Sequence, residues 1–210
     1  MKKLFYVLPL AVLLMSCGEG SSDDLDITEN SSIDEINEAA ASFNDGGATD
    51  AETYFQGLVA EVVKIDVHFH EIASLDEIDA EEDDFLKVLD STVHYIAEGR
   101  KGIDMYSSED WSKRAEFHEL TLQWFASIEG LVNDYLYDLA GPMSRADESW
   151  TDEENALYEE YANAYSGFSA IDEDWMDFQY EFAAANGFEL SVEGYDEGAM
   201  IDEELSHMEE

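Results

Sequence analysis

The sequence predicts an all-α fold, an up-down-up-down four-helix bundle behind a disordered acidic tether. Apolar residues recur at spacings of three and four in four long segments between residues 49 and 190, which is the period of one helical face. No stretch alternates apolar and polar residues as a strand does. Proline occurs only at Pro9 and Pro142, so these segments contain few helix breakers. Amphipathic helices joined by short loops favour an antiparallel bundle with crossing angles of about 20°.

The first two predicted helices each show one apolar stripe. The first begins at Thr49, because Thr49 and Glu52 have the spacing of a capping box. The second runs from about Ala80 to Ile103. The predicted stripe of the first helix is Phe55, Leu58, Val62, Ile65, Phe69 and Ile72, and that of the second is Phe85, Leu89, Val93 and Ile96.

The third predicted helix follows a cap at Ser107 and Ser108 and ends at Gly141-Pro142, since glycine followed by proline terminates helices strongly. Its stripe is rich in aromatic residues, which are more typical of a packed core than of a cofactor pocket. The inward residues are Phe117, Leu120, Trp124, Ile128, Leu131, Tyr135 and Leu139.

The fourth predicted helix begins at a second capping box, formed by Thr151 and Glu154, and ends at Asn186-Gly187. Its stripe is Leu157, Tyr161, Phe168, Ile171, Trp175, Phe178 and Phe182. The bundle is therefore assigned to residues 49–190, and residues 191–210 to a loose acidic tail.

The N-terminus has the parts of a bacterial secretion signal. Lys2 and Lys3 precede an apolar run over residues 4–15, and Ser16 supplies a small residue before a cleavage point. The run is shorter than the roughly 20 residues that cross a bilayer. Residues 14–17, Leu-Met-Ser-Cys, resemble the lipobox of bacterial lipoproteins, in which the cysteine is acylated. Cys17 is the only cysteine of the chain. We expect a signal peptide over residues 1–16 and a lipid on Cys17, the alternative being an ordinary signal peptide that contains a cysteine.

Residues 17–48 are rich in Ser, Gly, Asn, Asp and Glu, a composition typical of a flexible tether. A short amphipathic helix is predicted within it over residues 33–43. Ser22, Asp23 and Asp24 resemble the surface-export signal of Bacteroidota lipoproteins. That resemblance implies an outer-membrane lipoprotein facing the cell exterior, with the periplasmic face as the alternative.

The charge balance is strongly acidic, with 52 acidic residues against nine basic ones. Loss of Lys2 and Lys3 with the signal changes the net charge from −43 to −45. A nucleic-acid partner is excluded, because such binding needs a cationic surface. Salt screens self-repulsion, and the Debye length falls from about 10 Å at 0.1 M to about 3 Å near 1 M. The acidic surface is therefore interpreted as adaptation to saline water, or else as a surface that binds divalent cations.

Many of the carboxylates lie near the two turns expected at one end of the bundle. Ca²⁺ binds about six to eight oxygens, so these turns are candidate calcium sites. Acids in the first turn of a helix also interact favourably with the helix dipole, and a diffuse cloud of counterions is the favoured alternative to a defined site. The candidate residues are Asp76, Glu77, Asp79, Glu81, Glu82, Asp83, Asp84, Asp147, Glu148, Asp152, Glu153 and Glu154. Four basic residues are expected at the opposite end, where they would face an anionic membrane; they are Arg100, Lys101, Lys113 and Arg114.

A metal centre inside the bundle is a further hypothesis. With a turn centred near residue 106, His94 and His118 would lie at equal height on neighbouring helices, with Glu61 and Asp174 near that level. Histidine and carboxylate ligands suit zinc. Two half-exposed histidines on separate faces are the favoured alternative. The predicted helices contain no Glu-x-x-His motif of di-iron bundles.

The overall plan resembles a family of uncharacterised helical surface lipoproteins from Bacteroidota and Leptospira. The resemblance covers about residues 50–190 and depends on a tyrosine in the first helix, Tyr54, and on the closing residues Gln179, Phe182, Ala183 and Phe188-Glu189-Leu190. The family pattern has Asn-Asp after this tyrosine, whereas Phe55 and Gln56 follow it here. The resemblance implies a fold and a location but no activity.

The chain has no nucleophile elbow, Walker loop, dinucleotide fingerprint or EF-hand loop, and we expect no enzymatic activity. The predicted role is surface interaction or envelope structure through a protein partner and the membrane anchor. The alternative is a calcium-binding module of the cell surface.

Overall fold

The computed structural model describes residues 50–77, 80–105, 111–146 and 149–190. Its helices are α1 (Ala51–Glu77), α2 (Glu82–Met105), α3 (Arg114–Leu131), α4 (Tyr137–Met143) and α5 (Asp152–Asn186). A π-helical segment, Val132–Leu136, joins α3 to α4 without a break, so the helices form four rods. The described ranges contain no strand. The all-α prediction is confirmed, whereas Cys17, the predicted tether and helix before residue 50, and the tail after residue 190 lie outside these ranges.

Ring contacts give the direction of each rod. Phe55 near the start of α1 packs on Phe117 near the start of α3 at 5.7 Å, and on Phe182 near the end of α5 at 6.3 Å between ring centroids. Asp104 at the end of α2 lies 3.3 Å from His118. This end of the bundle, called the proximal end, therefore receives the starts of α1 and α3 and the ends of α2 and α5. The arrangement is up-down-up-down, as predicted. The opposite end, which holds the α1–α2 and α4–α5 turns, is the distal end.

The core follows the predicted stripe of α1 in full, since all six of its residues are buried. α1 packs most extensively on α2, and α3 on α5, while the contact between α1 and α5 is narrower. Trp124 and Trp175 are the largest fully buried side chains. None of the described helices is long and apolar enough to cross a membrane.

The predicted ends of the last helix are confirmed. The Thr151 hydroxyl accepts the Glu154 N–H at 3.2 Å, and the Glu154 carboxylate accepts the Thr151 N–H at 2.7 Å. Gly187 closes α5 with a φ of 82°, in the left-handed region that glycine tolerates. At the start of α1 the carboxylate of Asp50 accepts the Thr53 N–H at 2.8 Å, while Thr49 lies outside the described residues.

The predicted bounds of the third helix are wrong at both ends. The helix begins at Arg114 rather than after Ser107 and Ser108, because Lys113 has a φ of 60° and cannot continue a right-handed helix backwards. At the other end the helix passes through Gly141-Pro142 to Met143. Proline has no N–H to donate to the carbonyl four residues earlier, and the helix ends one residue after Pro142. Just beyond the helix the Ser144 hydroxyl donates to the carbonyl of Gly141 at 2.8 Å.

The inward face of this rod also differs from the predicted stripe. Leu136 is buried where Tyr135 was expected, because the π-helical segment adds one residue to a turn. Thr121 is fully buried while Leu120 is half-buried. The Thr121 hydroxyl donates to the Phe117 carbonyl four residues earlier at 2.8 Å, so burial leaves no hydroxyl proton unsatisfied.

Candidate functional site

Most of the described acidic residues of the distal end lie in the first turns of α2 and α5. Lys87 donates to Asp84 at 2.9 Å, and this hydrogen bond and its charge hold the pKa of Asp84 below its usual value. Arg145 pairs with Glu154 and lowers the pKa of that carboxyl in the same way. Glu81 directly precedes α2. The other described acidic candidates lie in the first helical turns of α2 and α5; they are Glu82, Asp83, Asp152 and Glu153.

Five of the candidate cation ligands lie at the end of α1 or outside the described residues. Asp76 and Glu77 end α1, but their side chains are not described, and Asp79, Asp147 and Glu148 lie outside the described residues. Across the described ranges, no group of three or more His, Cys, Asp or Glu residues is placed to hold a metal ion.

Each of the four basic residues expected at the proximal end has a neighbour. Arg100 lies 2.6 Å from Glu129, and Lys101 lies 2.7 Å from Glu98. Lys113 pairs with a glutamate of α5 and lies 5.0 Å from the centroid of a phenyl ring; these partners are Glu181 and Phe178. The Arg114 guanidinium lies 6.0 Å from the ring centroid of Tyr54. Three of the four positive charges are therefore offset by a glutamate, and the fourth lies over an aromatic ring.

The equal height expected for His94 and His118 is not observed. His118 faces Asp104, and the pairs Arg100–Glu129 and Asp90–Tyr137 show the same register between α2 and the third rod. These pairs are symmetric about residues 111–115, since the third helix starts late, and not about residue 106. His94 is exposed and contacts Tyr95 edge-on at 5.5 Å between ring centroids.

The two carboxylates expected near that level differ in exposure, since Glu61 is buried and Asp174 is exposed. Glu61 is only 1% exposed, pairs with Lys64 at 2.5 Å, and lies against Gly102 of α2. Asp174 is exposed on α5. The favoured sequence interpretation, histidines on separate faces, fits these positions better than a shared zinc site.

Asp174 belongs to a surface groove between α3 and α5, called here the α3–α5 groove, with a volume of about 660 Å³. Leu120 and Phe178 supply apolar surface inside it. Five carboxylates surround this apolar surface: Glu116, Glu119, Asp174, Asp177 and Glu181. The groove therefore combines an apolar floor with a strongly negative rim.

A second site lies inside the bundle and was not predicted. The Nδ1 atom of His70 lies 3.0 Å from a carboxylate oxygen of Asp66 and 2.9 Å from its backbone carbonyl oxygen, so this nitrogen carries a hydrogen. On α5, Asp172 accepts the indole N–H of Trp124 at 2.7 Å. Burial raises the pKa of Asp66, and burial together with the charge of Asp66 raises the pKa of Asp172 to about 6.

The sequence contained a weak signal for this buried layer. Asp66 follows Ile65 of the α1 stripe, and Asp172 follows Ile171 of the α5 stripe, so each acid borders a predicted core face. In a chain with 52 acidic residues, however, such neighbours look like ordinary surface carboxylates.

The chain was compared with protein-family models, with curated proteins and with solved structures, and no match was found in any of the three. The interpretation of both sites therefore depends on their own chemistry.

Proposed function

We propose that this chain is a lipid-anchored, extracytoplasmic interaction protein whose helical bundle binds a basic segment of a protein partner. The anchor is proposed from the lipobox-like residues that end at Cys17, and the surface location from Ser22, Asp23 and Asp24. The observation that carries the interaction role is the α3–α5 groove, whose acidic rim and apolar floor complement a cationic amphipathic peptide.

Contacts within the protein support this choice of partner. Lys113 already lies over the ring of Phe178 and pairs with Glu181 at one edge of the groove. An ammonium group over an aromatic face and beside a carboxylate is the arrangement expected for lysine or arginine side chains of a partner. Charge attraction would also speed encounter with such a partner at low salt.

The anchor is tested by expressing the full chain in a Gram-negative host with labelled palmitate. The wild-type chain should take up label and sediment with outer membranes. Cys17→Ser should take up none and accumulate at precursor length, because no thiol remains for acylation. Label in the Cys17→Ser chain would refute the anchor, and protection of the intact-cell protein from added protease would place it on the periplasmic face.

The groove is tested with a synthetic amphipathic lysine–leucine peptide as the probe, in about 0.15 M salt. The double variant Glu119→Gln/Asp177→Gln removes two rim charges, and Glu159→Gln/Glu160→Gln removes two exposed charges of α5 outside the groove. Rim removal should weaken binding by about tenfold, and the control double variant by less than about twofold.

Equal losses in the two double variants would show that the peptide senses only bulk charge and would refute the groove. Saturable Ca²⁺ binding by the full chain, with displacement of the peptide, would instead support the calcium-binding alternative. Titration calorimetry with CaCl₂ alone measures this directly.

A further inference from the structure

The narrow contact between α1 and α5 contains a polar layer beside an aromatic one. Phe69 of α1 packs on Phe168 and Tyr165 of α5, with centroid distances of 6.3 and 6.5 Å. Asp66 precedes Phe69 by three residues and Asp172 follows Phe168 by four, so each lies about one helical turn from these rings, on the proximal side. The two carboxylates therefore lie at one level of the interface.

Each carboxylate accepts one hydrogen bond from a side chain: Asp66 from a histidine, which can titrate, and Asp172 from an indole N–H, which stays neutral. His70 of α1 holds Asp66 at 3.0 Å, and Trp124 of α3 holds Asp172 at 2.7 Å. The side chain of Asp66 is 12% exposed and that of His70 is 30% exposed, and Asp172 is half-buried, so solvent reaches the layer through His70 and Asp172.

Few charged groups compensate this layer. The groups that act on Asp172 are Asp66 and His70 of α1, while α3 contributes the neutral indole N–H of Trp124. The group that acts on Asp66 is His70. None of these groups belongs to α2. With both carboxylates ionised, two negative charges face at most one positive charge on the imidazole.

We propose that Asp66, His70 and Asp172 form a proton-controlled clasp between α1 and α5, which tightens when one carboxylate takes up a proton and loosens when both are ionised. The proton comes from solvent and binds a carboxylate oxygen, so no other bond forms or breaks. The clasp responds within the range of pH in which most surface carboxylates stay charged.

The direction of the response follows from linkage. The raised pKa of Asp172, about 6 in the folded chain, exceeds the value near 4 of an unfolded aspartate. The folded state therefore binds the proton more tightly, so this contribution to stability is complete below about pH 4 and is lost as the pH rises through about 6. Mild acid therefore increases the free energy of unfolding through this layer. Protonation of ion-paired carboxylates, whose pKa is lowered in the folded state, decreases it.

The test measures urea unfolding of the full chain in detergent at about pH 5 and about pH 7.5, at constant ionic strength. A folded pKa of about 6 makes the unfolding equilibrium constant about tenfold smaller at the lower pH, and solvent screening reduces this ratio to about three- to tenfold. Asp172→Asn keeps an oxygen for the Trp124 indole but removes the charge, and should abolish most of the ratio. Asp174→Asn, an exposed position of the same helix, should keep it.

A site-specific measurement accompanies the stability test. The indole N–H resonance of Trp124, assigned with Trp124→Phe, should titrate in the wild-type chain with a midpoint near pH 6. In Asp66→Asn the midpoint should fall, because a neighbouring negative charge is removed. A wild-type indole resonance that does not titrate between about pH 4.5 and 7.5 would overturn the clasp, as would an unchanged ratio in Asp172→Asn. If Asp172→Asn does not fold, the wild-type titration decides alone.

Discussion

Replacement of Gly102 by alanine tests a close contact between α1 and α2. A Cβ atom at this position would lie 2.6 Å from the Oε1 atom and 3.0 Å from the Cδ atom of Glu61. Ordinary contacts begin near 3.4 Å, so the carboxylate would have to move by about 0.8 Å. Glu61 is only 1% exposed, and movement of its carboxylate would strain the ion pair with Lys64.

The magnitude follows from two opposing effects. Overpacking of a buried contact costs about 1–3 kcal/mol. Alanine in place of glycine favours a helix by up to about 1 kcal/mol, and by less in a last turn such as this one. We therefore expect Gly102→Ala to lower the free energy of unfolding by about 1–2 kcal/mol, which lowers the melting temperature of a domain of this size by about 3–8 °C.

Gly167→Ala is the matched control. Gly167 lies in the interior of α5, and a Cβ atom there meets nothing within 4 Å. Only the helix preference operates, so this variant should gain about 0.5–1 kcal/mol. Thermal and urea unfolding followed by circular dichroism measure both variants. If Gly102→Ala is stabilised as much as Gly167→Ala, then Glu61 is not held against α2 and the reasoning is wrong.

Three further outcomes are expected. Gln179 is 1% exposed, and within the described residues neither its amide oxygen nor its amide nitrogen has a hydrogen-bond partner. Gln179→Met should therefore raise the free energy of unfolding, measured in urea, by about 1–2 kcal/mol, and a lower value than in the wild-type chain would contradict this. Thr121→Val removes the acceptor of the Trp175 indole N–H, now 3.0 Å away, and should cost about 1–2 kcal/mol; Thr92→Val, whose hydroxyl donates to its own helix, should cost less in the same urea assay. The net charge of −43 predicts a higher melting temperature in about 0.5 M NaCl than in dilute buffer, and equal values would refute the saline adaptation.

Local sequence signals predicted most of the fold. The stripe of α1, the capping box of Thr151 and Glu154, and the C-cap at Gly187 were all predicted correctly, since each depends on residues within one or two turns. The start of the third rod was not, because the backbone conformation of Lys113 accompanies contacts with Glu181 and Phe178, which are distant in sequence.

The candidate sites were harder to predict for the same reason. An error in one turn shifts the register of every pair across two helices, which is why His94 and His118 were placed at one height. The α3–α5 groove and the pair of buried Asp66 and half-buried Asp172 depend on such registers, and their residue types are common throughout this chain.

The π-helical segment Val132–Leu136 allows the third rod to lose one residue without rotating its later side chains out of the core. Elsewhere in an α-helix, deletion of one residue rotates all later side chains by about 100° and turns the core face toward solvent. Here a turn already holds one residue more than an α-helix needs. A chain without the exposed Asn133 closes that turn to α geometry and leaves Leu136, Leu139 and Ala140 facing inward. The length of this rod can therefore change by one residue in evolution while the packing beyond it is preserved.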